Sequence, residues 1–268
     1  MVIDPRIRAR RVAVRRAEGR RRLRFLLGAA GLVALAVGAW GLTRTPLLDL
    51  DHVSYEGVPA ADAPEIEATA ELETGTAMFD LDLGAVEREL AALAWVESAS
   101  ATRAWPGTVS VVVEPRVAVA VIGPLTGPGF LADDDGVLIR PASPDPALPR
   151  VAVAPTVGLG EIQLDALPGI GVAVALPDDL RPWVEAVTVE GGADEPVHLG
   201  LDLVGSADVA LGSGDFIDDK LAAVRAVLDR VELTCLDMID VVVADSPVTT
   251  RDDECEGGTA NSTGGGDA

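Results

Sequence analysis

"LAALAWVESASATRAWPGTVSVVVEPRVAVAV", residues 90–121, is the stretch from which the fold can be read. Its first residues finish a helix: Val86, Leu90 and Leu93 recur at i, i+4 and i+7, one apolar stripe behind Asp82 as the cap. From Val96 to Arg103 the pattern is that of a strand, and from Thr108 to Glu114 Val109, Val111 and Val113 share one face of a second. Trp105-Pro106-Gly107 between them supplies a tight reversal.

Working outward, Asp51 to Val58 is predicted as a short strand. Asp62 is placed to cap a helix whose apolar Ile66 and Ala70 lie four apart, with Gly75 just past its end. The order over residues 44–121 is then β-α-α-β-β, a small sheet covered on one side by two helices.

Downstream, "IGPLTGPG" (Ile122 to Gly129) breaks the pattern and is predicted to be the hinge into a second, mostly β domain over residues 122–251. "FLADDDGVLI" sets Asp135-Gly136 between apolar runs, a hairpin signal. Its adjacent aspartates lack the alternating spacing and distal Glu of a calcium loop. Pro141 to Pro149 is an irregular connection between Val-rich runs that have strand character.

From Asp215 as cap, Ile217, Leu221, Val224, Leu228 and Val231 define a helix, with Asp218 and Asp219 in its first turn and Arg230 in its last. "DMIDVVVAD" (237–245) follows as a strand with Ile239, Val241 and Val243 facing one way; Asp245 to Pro247 turns, and Val248 to Arg251 returns as a short edge strand. Residues 252–268 are Gly-rich and polar, an expected disordered tail. The fold class is α+β.

Ahead of all this, Phe25 to Thr43 is nineteen residues without a charge, about 28 Å as a helix against a hydrocarbon core of roughly 30 Å. It reads as a single transmembrane helix, or as a secretion signal cut after the small residues Ala36-Val37-Gly38. The leader, residues 1–24, holds ten arginines against Asp4 and Glu18, whereas everything beyond it carries a net charge of −30. Basic flanks stay inside, so the leader is a cytoplasmic tail and the acidic part lies outside, with membrane lipid contacted through the anchor. An acidic surface excludes nucleic acid as a partner of that part. In the span Ala30, Ala34 and Gly38 recur every four residues, the spacing that lets a second helix approach closely.

Cys235 and Cys255 both fall on the oxidising side; a bridge would close a loop of about 20 residues, and two free thiols remain the alternative. Neither His52 nor His198 has a second ligand at zinc spacing. Ser213 in "GSGD" is a helix-entry loop, and Gly158-Leu159-Gly160 and Gly169-Ile170-Gly171 are turns rather than phosphate loops. Nothing here singles out an acid and a base, a cofactor or a small-molecule substrate.

The stretch 90–121 resembles the bacterial divisome family FtsQ, also called DivIB, which shares its helix, Trp-Val, small-residue strand, Arg-x-Trp-Pro and Val-rich strand. The likeness extends to "VSYEGV", "ETGTAMFDLDL", "FLADDDGVLI", "VALGSGDFIDDKL" and "MIDVVVADSP". It implies a retained anchor, a POTRA (polypeptide-transport-associated) domain and a β-domain. The implied role is non-enzymatic: recruiting and holding FtsL-like and FtsB-like (DivIC-like) proteins that control septal peptidoglycan synthesis. Carried over, the partner surface is Val242, Val243, Asp245, Val248, Thr249, Thr250 and Arg251. The POTRA motif is Trp95, Val96, Arg103, Trp105 and Pro106, and burial is the favoured reason for its tryptophans, Val96 and Pro106. Pro115 stands where the family usually has Arg, and the last strand lacks the aromatics of some relatives. Two rival readings stay open: an anchored POTRA module for protein transport or outer-membrane assembly, and a membrane-tethered cell-wall hydrolase.

Overall fold

The computed structural model describes residues 24–38, 40–41, 48–143, 147–192, 195–231 and 236–251. Residues 24–38 are helical and exposed throughout, and Ala30, Ala34 and Gly38 lie on that helix. Among the described residues no helix is long and apolar enough to cross a membrane. The stretch 25–43 falls partly outside them, as do residues 1–23, the tail 252–268, and both Cys235 and Cys255. By their internal contacts the residues sort into two compact units, Met1–Arg88 with Ser100–Val112, and Glu89–Ala99 with Val113–Ala268.

The predicted β-α-α-β-β order forms: β1 (His52–Glu56), α1 (Ala63–Ala70), α2 (Leu83–Ala91), β2 (Val96–Ala104) and β3 (Thr108–Pro115). The sheet order is β1-β3-β2, with β1 and β3 parallel and Val53 opposite Val109. Ile66, Val109 and Val111 are fully buried, as the two periodicities foretold, and Leu50 and Met78 are buried with them. Asp82 caps α2 as expected, its Oδ1 accepting the Ala85 N–H at 3.0 Å. At α1 the details differ. Asp62 occupies the N-cap without a side-chain capping bond to the helix, its carbonyl accepting Ile66 N–H instead. The helix stops at Glu71, in the left-handed region at φ 46°, before the chain reaches Gly75.

The second unit is built on a nine-stranded sheet of order β12-β11-β10-β9-β8-β7-β4-β5-β6. Its strands are β4 (Ala120–Ile122), β5 (Phe130–Ala132), β6 (Leu138–Pro141), β7 (Arg150–Val151), β8 (Val184–Gly192), β9 (Glu195–Leu203), β10 (Asp208–Gly212), β11 (Leu236–Asp240) and β12 (Val248–Arg251). Helices α3 (Leu167–Ala175) and α4 (Ile217–Leu228) supply the rest of an apolar core that includes Ile122, Val151, Ile170, Leu201, Leu221 and Ile239.

Several expectations are corrected here. Ile122 to Gly129 is no hinge into the sheet: β4 already belongs to it, pairing antiparallel with β5 and parallel with β7. Gly169-Ile170-Gly171 is the middle of α3 rather than a turn. A Cβ on Gly169 would come within 2.6 Å of Val151 Cγ1 and 2.7 Å of Val189 Cγ2, so glycine lets this helix press onto the sheet. Phe216, at φ 54°, takes the N-cap position of α4, while Asp215 accepts a hydrogen bond from Ser213 Oγ. The strand expected over 237–245 ends at Asp240, whose Oδ1 accepts the Val242 N–H at 2.9 Å. Ile239 and Val241 are fully buried, but Val243 is exposed.

Candidate partner interface

The residues predicted to form an edge divide between two kinds of structure. Val248, Thr249, Thr250 and Arg251 are β12, the last strand of the sheet, every residue of it exposed. Val242, Val243 and Asp245 lie in the connection that leads to it. β12 runs antiparallel to β11, with Met238 opposite Thr250 and Asp240 opposite Val248. Among the described residues no strand lies on its far side in the sheet order, leaving a row of backbone donors and acceptors for a further strand.

Register decides what that edge adjoins. Residues directly opposite in a ladder share a face of the sheet. Thr188, Gly200, Ala210, Asp240 and Val248 therefore form one row across β8 to β12, and Asp202, Asp208, Met238 and Thr250 form the next. The intervening residues Val187, Leu201, Val209 and Ile239 face the core. On the outer side, where Gly200 and Ala210 contribute almost no bulk, a groove of about 270 Å³ opens, rimmed by Glu190, Asp202 and Asp208. Gly200 has no alternative: a Cβ there would lie 2.6 Å from Thr188 Oγ1 and 2.9 Å from the Val209 carbonyl.

The electrostatics of the groove are one-sided. No lysine or arginine lines it among the described residues, and His198, opposite Glu190, is its only base. Burial raises the Asp202 carboxyl above the ordinary carboxylate range, and Asp208, Glu185 and Glu190 push it further. Such a surface complements cationic side chains. The acidic groove escaped the sequence reading because its residues come from separate strands; the Gly205-Ser206 turn between β9 and β10 was the signal that would have set Asp202 opposite Asp208.

In the POTRA-type motif, burial explains only some of the residues. Trp95 and Val96 are buried, whereas Trp105 is half-exposed and Pro106 exposed. Arg103 turns inward to the chain, its Nε donating to the Met78 carbonyl at 2.8 Å and its Nη2 to the Leu81 carbonyl. The peptide bond between Trp105 and Pro106 is cis.

A profile of the POTRA domain of FtsQ type matches residues 49–116, the span of the β-α-α-β-β unit. The cell division protein FtsQ of Myxococcus fulvus is 30% identical over 216 residues, covering 75% of this chain and 72% of that protein. The chain belongs to the FtsQ family of cell division proteins. The FtsQ protein of Mycobacterium leprae is 28% identical over 69% of this chain, and that of Streptomyces coelicolor 27% identical over 80%. The chain spans about half, 52%, of the M. leprae relative and 84% of the S. coelicolor one. Within this FtsQ-type architecture Arg103, Trp105 and Pro106 of the POTRA motif fall in the first unit, whereas Trp95 and Val96 fall in the second, as does the β12 edge.

Proposed function

We propose that this chain is a non-enzymatic scaffold of the cell division machinery, anchored by residues 25–43 with its leader in the cytoplasm, and that it holds a partner at the septum along β12. The observation that carries this reading is the exposed β12 edge beside an acidic groove, in a member of a cell division family. A partner strand added to β12 takes its affinity from main-chain hydrogen bonds. Its selectivity comes from side chains that reach over the Val248 and Thr250 face, where Asp240, Asp202 and Asp208 favour lysine or arginine. FtsB-like (DivIC-like) and FtsL-like proteins are the partners that the family resemblance puts forward, and regulation of septal peptidoglycan synthesis is the output.

A photo-crosslinking residue at Val248 or Thr250, in the full chain in dividing cells, tests it. Trapping of a small single-span division protein is expected there and not from Leu159, which is also exposed. Depleting the chain should give filamentous or unseparated cells. Equal trapping at all three positions, or normal division without the chain, would sink the reading.

A further inference from the structure

Phe79 and Trp105 form an aromatic pair on the surface of the first unit, with ring centroids 4.8 Å apart and an interplanar angle of 42°. They are 55% and 50% exposed, which leaves a large apolar face in water. Arg103 fixes the segment behind them through its bonds to the Met78 and Leu81 carbonyls.

The place of the pair in the fold gives it a direction. Leu50 N–H donates to the Thr76 carbonyl and Met78 N–H to the Leu48 carbonyl, with Asp49 bridging Ala77 in antiparallel sense. From Thr76 to Met78 the chain therefore runs back along residues 50 to 48, and Phe79 lies beyond Leu48. Trp105 is at the same end, because β1 and β3 are parallel with His52 opposite Thr108, and Asp51 N–H donates to the Gly107 carbonyl at 2.7 Å. Both rings thus mark the pole of the sheet at which the chain arrives from residue 47.

The uncharged stretch ends at Thr43. The five steps from there to Leu48 span at most about 18 Å even when fully extended, and the headgroup layer is itself roughly 5–8 Å deep. The amphipathic indole of Trp105 is a side chain that settles in that layer, and the apolar ring of Phe79 packed on it adds buried area there. We infer that Phe79 and Trp105 seat in the lipid headgroup layer on the side of the membrane away from the arginine leader, and so hold the first unit against the bilayer. This rests on the reading of residues 25–43 as the anchor. The contact is aromatic rather than ionic: Asp49, Asp51 and Asp80 belong to the segments that form the same pole and repel anionic lipid, so a zwitterionic surface is the one that fits.

The test uses the full chain in phosphatidylcholine nanodiscs, with and without lipid carrying a nitroxide at the headgroup or high on the acyl chain. Tryptophan fluorescence is compared for the unmodified protein, Trp40→Phe and Trp105→Phe, the differences isolating Trp40, within the anchor, and Trp105. Both components should be quenched. Phe79→Ser should relieve quenching of Trp105 and leave that of Trp40 unchanged, with an unaltered circular dichroism melt. Replacing part of the phosphatidylcholine by phosphatidylglycerol should lessen quenching of Trp105. Trp40 quenched with Trp105 unaffected would overturn the seat and keep the anchor, and so would Trp105 shielded only when a protein partner is added. Neither residue quenched would overturn both.

Discussion

Asp202 on β9 and Asp208 on β10 stand directly opposite one another in the antiparallel ladder, two like charges in the position where a sheet ordinarily sets complementary ones. Their neighbours across the face are Met238 and Thr250, so the repulsion sits one strand short of the free edge. A cost of this kind is offset when a cation from a partner lies over it.

Asp208→Asn should therefore stabilise the free protein and weaken its partner binding. Like charges opposite each other cost roughly 0.2–1 kcal/mol, which denaturant unfolding at neutral pH should recover. The pH dependence follows from the raised carboxyl of Asp202. Such a group holds its proton more tightly folded than unfolded, so stability falls as pH rises from the ordinary aspartate range through the raised folded value, and the loss is complete above it. The gain from Asp208→Asn should vanish in acid, where Asp202 is protonated and no longer repels its neighbour. Binding of a basic partner should become less sensitive to salt.

Proline substitutions along β12 should show an alternation. In an antiparallel strand successive N–H groups point to opposite sides, so among Val248, Thr249 and Thr250 some donate to β11 and others point away from it. Proline at an outward position should abolish partner capture at unchanged melting temperature, whereas at an inward position it should lower both. A uniform response at all three would show that the edge is not the contact.

Gly169 and Gly171 share helix α3 but not its surroundings. Gly169→Ala drives a methyl against Val151 and Val189 and should cost about 1–3 kcal/mol. A methyl on Gly171 would meet nothing within 4 Å, so Gly171→Ala should stabilise by up to about 1 kcal/mol through helix propensity alone. Opposite shifts in two thermal melts check the pair.

Asp133 is buried and is held by Arg116 Nη1 at 2.7 Å, while its other oxygen accepts the Val137 N–H at 2.7 Å. Arg116→Ala leaves that carboxylate without its cation and should destabilise by roughly 3 kcal/mol. Arg116→Ala with Asp133→Asn should recover much of the loss, since the remaining amide carries no charge to strand. A double-mutant cycle by urea unfolding measures it.

How much was legible follows from the distance over which each feature is specified. The β-α-α-β-β order was readable because each element is set by its own periodicity and punctuation: the valines of 109–113, the stripe from Val86, the Trp-Pro-Gly turn. Helix α3 was not, because "LPGIGVAVA" is apolar all round and carries two glycines, so it has no polar face to reveal a helical period. Only the close approach of Gly169 to two strands explains its composition. The end of the strand after Asp240 was likewise hidden, since Val241, Val242 and Val243 continue an extended pattern that the Asp240 side chain interrupts.

By itself, then, the sequence determined the local elements of the β-α-α-β-β unit and their order, and the closing "VTTR" strand, because propensity, caps and turn residues act over a few positions. Tertiary structure alone decided which residues stand side by side. It set Asp202 against Asp208, ran the row from Thr188 to Val248 beside the free edge, and brought Phe79 up to Trp105 at the pole where the chain arrives. Strand register and antiparallel return join residues far apart in the chain, and no local pattern records that pairing.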